Sequence, residues 1–272
     1  MQMRNLAFRD MRLPRLGAMR SGGFSPALLF AGTTEGAWYD PSDLSTLFQD
    51  SAGTTPVTAS GQPVGKMLDK SGNGNHAVQA TAAKRPTYTE GSGLAWLAFD
   101  GVDDAMATAA IDFTGTDQMS VFAGVRKLSD AATGVMAEIS ADATDSDGTF
   151  AMYNSSNSTV NGAGFFSQGT AIGVANATAG LVPPANAAIT GLGDISGDSS
   201  IIRINGIQRA NGPQDQGSGN YGNHVLNIGS RNQTSRFFNG NIYGIIIAGK
   251  MASTDEIAAT EAYLAAKSGV TL

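Results

Sequence analysis

The chain has 272 residues, of which 42% are hydrophobic and 15% charged, with 35 glycines and no cysteine. A chain this long can bury about 70 to 75% of its unfolded surface in one large or two small domains, so a disulfide-stapled miniprotein is excluded. Thiol nucleophiles and thiolate metal sites are excluded with it, and no apolar run approaches the ~20 residues of a membrane-spanning helix.

Charge is uneven along the chain. The first 20 residues carry five arginines against Asp10, a net of +4, and the rest carries 12 Lys and Arg against 22 Asp and Glu, which together make −6. The acidic body argues against a nucleic-acid groove on the main domain, because phosphate binding draws on clustered cations.

Residues 1–35 read as an N-terminal arm. Over residues 1–23, Arg or Asp interrupts each short apolar stretch, so this part lacks the apolar core of a secretory signal, and Pro14 breaks the helix of a transit peptide. The expectation is an arm that orders on docking to a partner subunit, with Arg4, Arg9, Arg12, Arg15 and Phe8 as candidate contacts. A solvated terminus is the plain alternative.

From Ala37 onward, apolar residues alternate with polar ones in short segments bounded by Gly, Asn, Asp and Ser. That is the pattern of strands and turns, and it predicts strands over 94–99, 119–126, 135–139, 150–153, 201–207, 225–228 and 242–248. Asn205-Gly206 predicts a hairpin turn, and the glycine-rich stretches 140–149, 154–164 and 208–223 read as long loops. The exception is the C-terminal end, where Ser253-Thr254-Asp255-Glu256 fits a capping box and Gly269 a helix stop, predicting one helix over 254–267.

The chemistry-bearing motifs are few. Two Gly-x-Gly-x-x-Gly/Ala matches, at 217–222 and 72–77, lack the strand–turn–helix context that places a pyrophosphate at a helix N-terminus. No serine lies in a Gly-x-Ser-x-Gly elbow, and His76 and His224 are the only histidines. None of the five glutamates has an acid two residues on, so the paired carboxylates of a sandwich glucanase are missing and an enzyme would have to use loop aspartates. Calcium is the least implausible ligand, since Asp100, Asp103 and Asp104 crowd one loop and Asp142, Asp145 and Asp147 another. The competing reading is two acidic turns, and the second loop fails as an EF-hand because Ala143 and Asn154 fall at key ligand positions.

Three segments in register resemble the laminin-G-like, concanavalin A-like jelly-roll domains. They are Trp38-Tyr39-Asp40-Pro41-Ser42-Asp43 with Asp69-Lys70-Ser71-Gly72-Asn73-Gly74-Asn75-His76; Leu97-Ala98-Phe99-Asp100-Gly101; and Ile202-Arg203-Ile204-Asn205-Gly206 through Phe238-Asn239-Gly240 to the final helix. The resemblance spans about 37–268 and implies an all-β jelly-roll sandwich of two antiparallel sheets over 36–272, with one short C-terminal helix and an extended N-terminal arm. It assigns Trp38, Asp69, Gly72, Asn73, Phe99 and Gly101 to architecture. Asp69 and Asn73 would bind backbone in the turn, Gly72 and Gly74 would take positive φ, and Trp38, Trp96 and Phe99 would fill the space between the sheets, with sugar stacking by the tryptophans as the alternative.

Gly36-Ala37-Trp38-Tyr39-Asp40-Pro41-Ser42-Asp43-Leu44 and Arg85-Pro86-Thr87-Tyr88 resemble copies of this domain carried by tailed bacteriophages and prophages. That resemblance implies a non-enzymatic virion structural protein, made in the bacterial cytoplasm, in a capsid-decorating or tail- or fibre-associated position. Its implied partners are other virion proteins and host cell-surface glycan, in a homo-oligomer expected to be a trimer; no cofactor is expected, and the aspartate loops make calcium the one candidate. The alternatives are a free carbohydrate-binding module and, behind it, a glycan-cleaving enzyme.

Overall fold

A computed structural model describes residues 23–140, 147–154 and 162–272. Its strands in chain order are β1 (Gly36–Tyr39), β2 (Leu47–Phe48), β3 (Lys66–Met67), β4 (Ala77–Val78), β5 (Thr87–Gly91), β6 (Leu94–Asp100), β7 (Met106–Asp112), β8 (Gln118–Lys127), β9 (Val135–Ile139), β10 (Thr149–Asn154), β11 (Ala163–Gln168), β12 (Ile172–Asn176), β13 (Ala185–Asp194), β14 (Ser199–Ile204), β15 (Ile207–Gly212), β16 (Asn223–Ile228) and β17 (Asn239–Ala248), followed by helix α1 (Thr254–Ser268). They form two antiparallel sheets. One runs β15-β14-β13-β8-β17-β6-β5, with β1 paired to the second half of β17, and the other runs β12-β11-β10-β9-β16-β7-β4-β3-β2. This is the all-β sandwich expected from the sequence. Among the described residues no helix is long and apolar enough to cross a membrane.

Burial explains which strands alternate. In β14, toward one edge, Ile202 and Ile204 enter the core while Ile201 and Arg203 stay partly exposed, giving period two. In β8, at the centre, all but Gln118 and Arg126 are buried, because the second sheet covers one face and α1 the other. Asn205 and Gly206 take φ of +51° and +77°, the paired positive values of the tight turn that joins β14 to β15.

The core is double. The larger cluster lies between the sheets and includes Phe99, Phe150, Phe165, Leu226 and Ile245; the smaller lies outside the first sheet and unites Leu29, Phe30, Trp38, Phe122, Ile246 and Leu264. Trp38 therefore does not fill the space between the sheets as expected. It points to the outer face of β1, under α1, with its ring edge-on to Tyr263 at 6.2 Å. Trp96 is on the outer face too, partly exposed against Tyr243 at 5.5 Å. Strand alternation is the reason, since Tyr39 and Leu97, one residue along, take the inward positions.

The capping box forms as predicted. Ser253 Oγ accepts from the Glu256 amide at 3.3 Å, Glu256 Oε2 accepts from the Ser253 amide at 2.8 Å, and Gly269 closes the helix at φ +70°. The helix lies across β13, β8 and β17 rather than along an edge of the sheet. Glycines at paired positions, Gly124 on β8 and Gly244 on β17, let it approach: a Cβ added there would stand 3.1 Å from the Leu264 carbonyl oxygen and 3.0 Å from its Cδ2. A 3-10 turn, Pro26–Phe30, buries Leu29 and Phe30 beside the helix, so packing begins ahead of residue 36. Arg4, Phe8, Arg9, Arg12 and Arg15 lie outside the described residues.

Candidate functional site

The 69–76 loop is a structural staple. Asp69 Oδ1 accepts from the amides of Trp38 at 2.9 Å and Ser71 at 2.8 Å, while Oδ2 accepts from the Ser71 hydroxyl and the Asn75 amide. The Asn73 side chain donates to the carbonyls of Thr34 and Gly36, and His76 Nδ1 accepts from the Asp69 amide at 3.0 Å. Gly72 and Gly74, at φ +98° and +82°, supply the turn. The Asp69 bond to Trp38 and the two Asn73 bonds tie the loop to the start of β1, and the remaining contacts brace the loop on itself.

The β6–β7 hairpin concentrates negative charge. Asp100 Oδ1 accepts from the amides of Val102, Asp103 and Asp104 at 2.8 to 3.3 Å, Asp104 Oδ2 accepts from the Asp100 amide at 3.1 Å, and Gly101 turns the chain at φ +75°. One oxygen from each of Asp100, Asp103 and Asp104 falls within 4.8 Å of the others. Asp104 is only 8% exposed, and burial, reinforced by the Asp100 charge, pushes its carboxyl up to about 7. A divalent cation would relieve that repulsion. Asp100 Oδ2, Asp104 Oδ1 and the Asp103 carboxylate have no hydrogen-bond partner among the described residues, part of the six to eight oxygens calcium takes. Of the other acidic loop, Asp147 is described and does not join this cluster. Asp147 sits beside His224, whose Nε2 is 3.0 Å from the Asp147 carbonyl, near the Asp112 end of β7, while Asp100–Asp104 precede its Met106 end. Asp142 and Asp145 lie outside the described residues.

A third place, not singled out by the sequence motifs, has the make-up of a binding site. On the outer face of the second sheet, the register sets Tyr153 opposite Gly164 and Phe166 opposite Ala151 and Val174, while Met152 and Phe165 turn inward. A hollow of about 240 Å³ results, floored by Val135, Tyr153, Phe166, Ile172 and Val174 and walled by Thr133, Arg231 and Arg236. The Tyr153 ring is held in place. It lies over Gly164, where an added Cβ would meet its Cζ at 2.3 Å, and its hydroxyl donates to Asn176 Oδ1 at 2.9 Å. Its ring and that of Phe166 are tilted by 45° with centroids 6.5 Å apart.

Arg231 is equally constrained. Its Nε donates to Glu138 Oε2 at 2.7 Å, Glu138 is fully buried, and the guanidinium sits 6.0 Å from the centroid of Phe166. Burial raises the Glu138 carboxyl above the usual carboxylate range, against the opposing pull of Arg231, the Ser140 hydroxyl and Arg236. The only cue in the sequence was the pair of arginines flanking Asn232-Gln233-Thr234-Ser235, and nothing local links them to Tyr153 or Phe166.

No family model and no curated protein matches the chain by sequence. Solved structures do match by shape. An arabinofuranosidase in complex with arabinofuranosyl-α-1,2-xylobiose aligns with a TM-score of 0.60 at 16% identity, over 90% of this chain and 65% of that one. Domain 4 of AbnA, a GH43 extracellular arabinanase from Geobacillus stearothermophilus in complex with arabinotriose, aligns at 0.56 and 12% identity, over 84% of this chain and 98% of that one. The binding domain of botulinum neurotoxin serotype D aligns at 0.54 and 9% identity, over 82% and 50%. The β-sandwich fold is thus shared with these proteins.

Proposed function

We propose that this chain is a non-enzymatic glycan-binding module whose binding site is the Tyr153–Phe166–Arg231–Arg236 hollow. The observation that carries the reading is a pinned aromatic floor beside fixed hydrogen-bond donors. A sugar ring offers an apolar face of C–H groups to an aromatic plane and hydroxyls to surrounding donors, and a few placed polar groups on an apolar lining are the usual composition of such sites. Two neighbours in shape, solved with arabinose-containing oligosaccharides, support the same reading. At about 240 Å³ the hollow suits one sugar ring rather than a long chain.

The test is saturation-transfer NMR on the full chain against a panel of oligosaccharides. Saturation of at least one ligand, lost in Tyr153→Ala with an unchanged melting temperature, is the expected result. A panel without any saturated ligand, or a Tyr153→Ala protein that binds as before, refutes it.

A finer placement, as a capsid-decorating or tail- or fibre-associated component of a bacteriophage virion, rests on the sequence resemblance and on the basic arm. Mass spectrometry of purified particles from the source tests it, with stoichiometric presence expected and absence refuting. Trimeric assembly belongs to the same reading, and sedimentation of the full chain checks it.

A further inference from the structure

The wall of the hollow carries more positive charge than the protein around it needs. Of Arg231, only Nε is used by a protein acceptor, so the forked Nη end has no partner among the described residues. The Arg236 side chain has no ion-pair or hydrogen-bond partner among them either, and its backbone is tied down, its carbonyl accepting from the Val135 amide at 2.9 Å. Asn232, Gln233 and Arg236 all take φ near +50°, an uncommon conformation for side-chain-bearing residues, so this loop holds its arginines in place against a local preference. Glu138, the acid paired with this wall among the described residues, is fully buried and engaged by Arg231 Nε. What remains open toward the hollow is cationic, on a chain whose net charge is −6.

We propose that the hollow selects sugars bearing a carboxylate, whose oxygens meet the open guanidinium edges of Arg231 and Arg236 while the ring packs on Tyr153 and Phe166. Resting on the glycan-binding reading, it adds the class of sugar. A guanidinium presents its N–H groups as a planar fork that matches a carboxylate, and a fork already oriented by Glu138 loses little freedom on binding. A neutral sugar would leave Arg236 and the Nη end of Arg231 without an anionic partner.

Isothermal titration of the full chain tests this with tetragalacturonate, with 3′-sialyllactose, and with each compound after its carboxyls are reduced to hydroxymethyl groups. At least one acidic probe should bind about tenfold or more tighter than its reduced form, as expected for a charge-assisted contact, and should weaken with added salt. Arg236→Gln, at an exposed side chain with no described partner, should remove that preference and leave the melting temperature unchanged. Which probe binds tells a carboxylate on C6 of a uronate from one on the anomeric carbon of a sialate. Equal binding of acidic and reduced forms, untouched by Arg236→Gln, overturns the carboxylate inference and leaves glycan binding standing. Failure of every probe, neutral arabinotriose included, takes down both.

Discussion

Asp104 makes stability depend on pH in a direction opposite to most carboxylates. Burial and the Asp100 charge hold its carboxyl up to about 7, while the unfolded chain releases the same proton near the ordinary 3.8. The folded state therefore keeps a proton that the unfolded state gives up, and the stabilisation, complete below about pH 4, is lost as pH rises through 7. Release of the proton at about 7 rather than 3.8 corresponds to about 4 kcal/mol, and the partial access of water to the hairpin reduces this to about 2 kcal/mol. Asp104→Asn keeps the shape, keeps an oxygen to accept from the Asp100 amide, and removes the charge. In urea titrations with chelator, the two proteins should agree within about 0.5 kcal/mol at pH 4.5, and the variant should be the more stable by about 2 kcal/mol at pH 8. A difference that is the same at both pH values refutes the reasoning. In millimolar calcium at pH 8 the wild type should recover stability and the variant should not, if the three aspartates hold the ion.

The other predictions follow from packing and pairing. Leu264→Ala removes the side chain seated over Gly124 and Gly244 and should destabilise the fold by about 3 kcal/mol, read from urea midpoints. Arg231→Met leaves Glu138 buried and unpaired and should destabilise by about 3 to 5 kcal/mol, while adding Glu138→Leu should restore most of the loss; a double variant as weak as the single one defeats that account. Gly164→Ala should drive the Tyr153 ring from its seat and abolish sugar saturation, with far-UV circular dichroism unchanged.

How much of this was legible beforehand depended on whether the cue was local. The 254–267 helix was, because a capping box is a contact between residues three apart, and so was the Asn205-Gly206 turn, which only needs two residues tolerant of positive φ. The strands within 94–99, 119–126, 135–139 and 242–248 showed themselves by apolar alternation or by continuous apolar runs. Strand β13 did not. Gly191 and Gly193 interrupt its pattern, and their reason is distant: the Phe165 ring and the Tyr221 hydroxyl occupy the space a side chain would need. Strands β11, β12 and β15 were similarly hidden wholly or in part within or beside stretches that read as glycine-rich loops.

The amino-acid sequence by itself determined an all-β sandwich with one capped C-terminal helix, an acidic body behind a basic start, and the Asp69 and Asp100 loops, because each is written in spacing, composition or short-range hydrogen bonding. Tertiary structure alone decided which face each strand presents. It put Trp38 under the helix and Trp96 on the outer face, separated Asp147 from the Asp100–Asp104 hairpin to opposite ends of β7, and gathered Tyr153, Phe166, Arg231 and Arg236 from separate segments into one hollow. The physical reason is that strand pairing converts register into neighbourhood, and register across a sheet depends on partners that no local stretch of sequence contains.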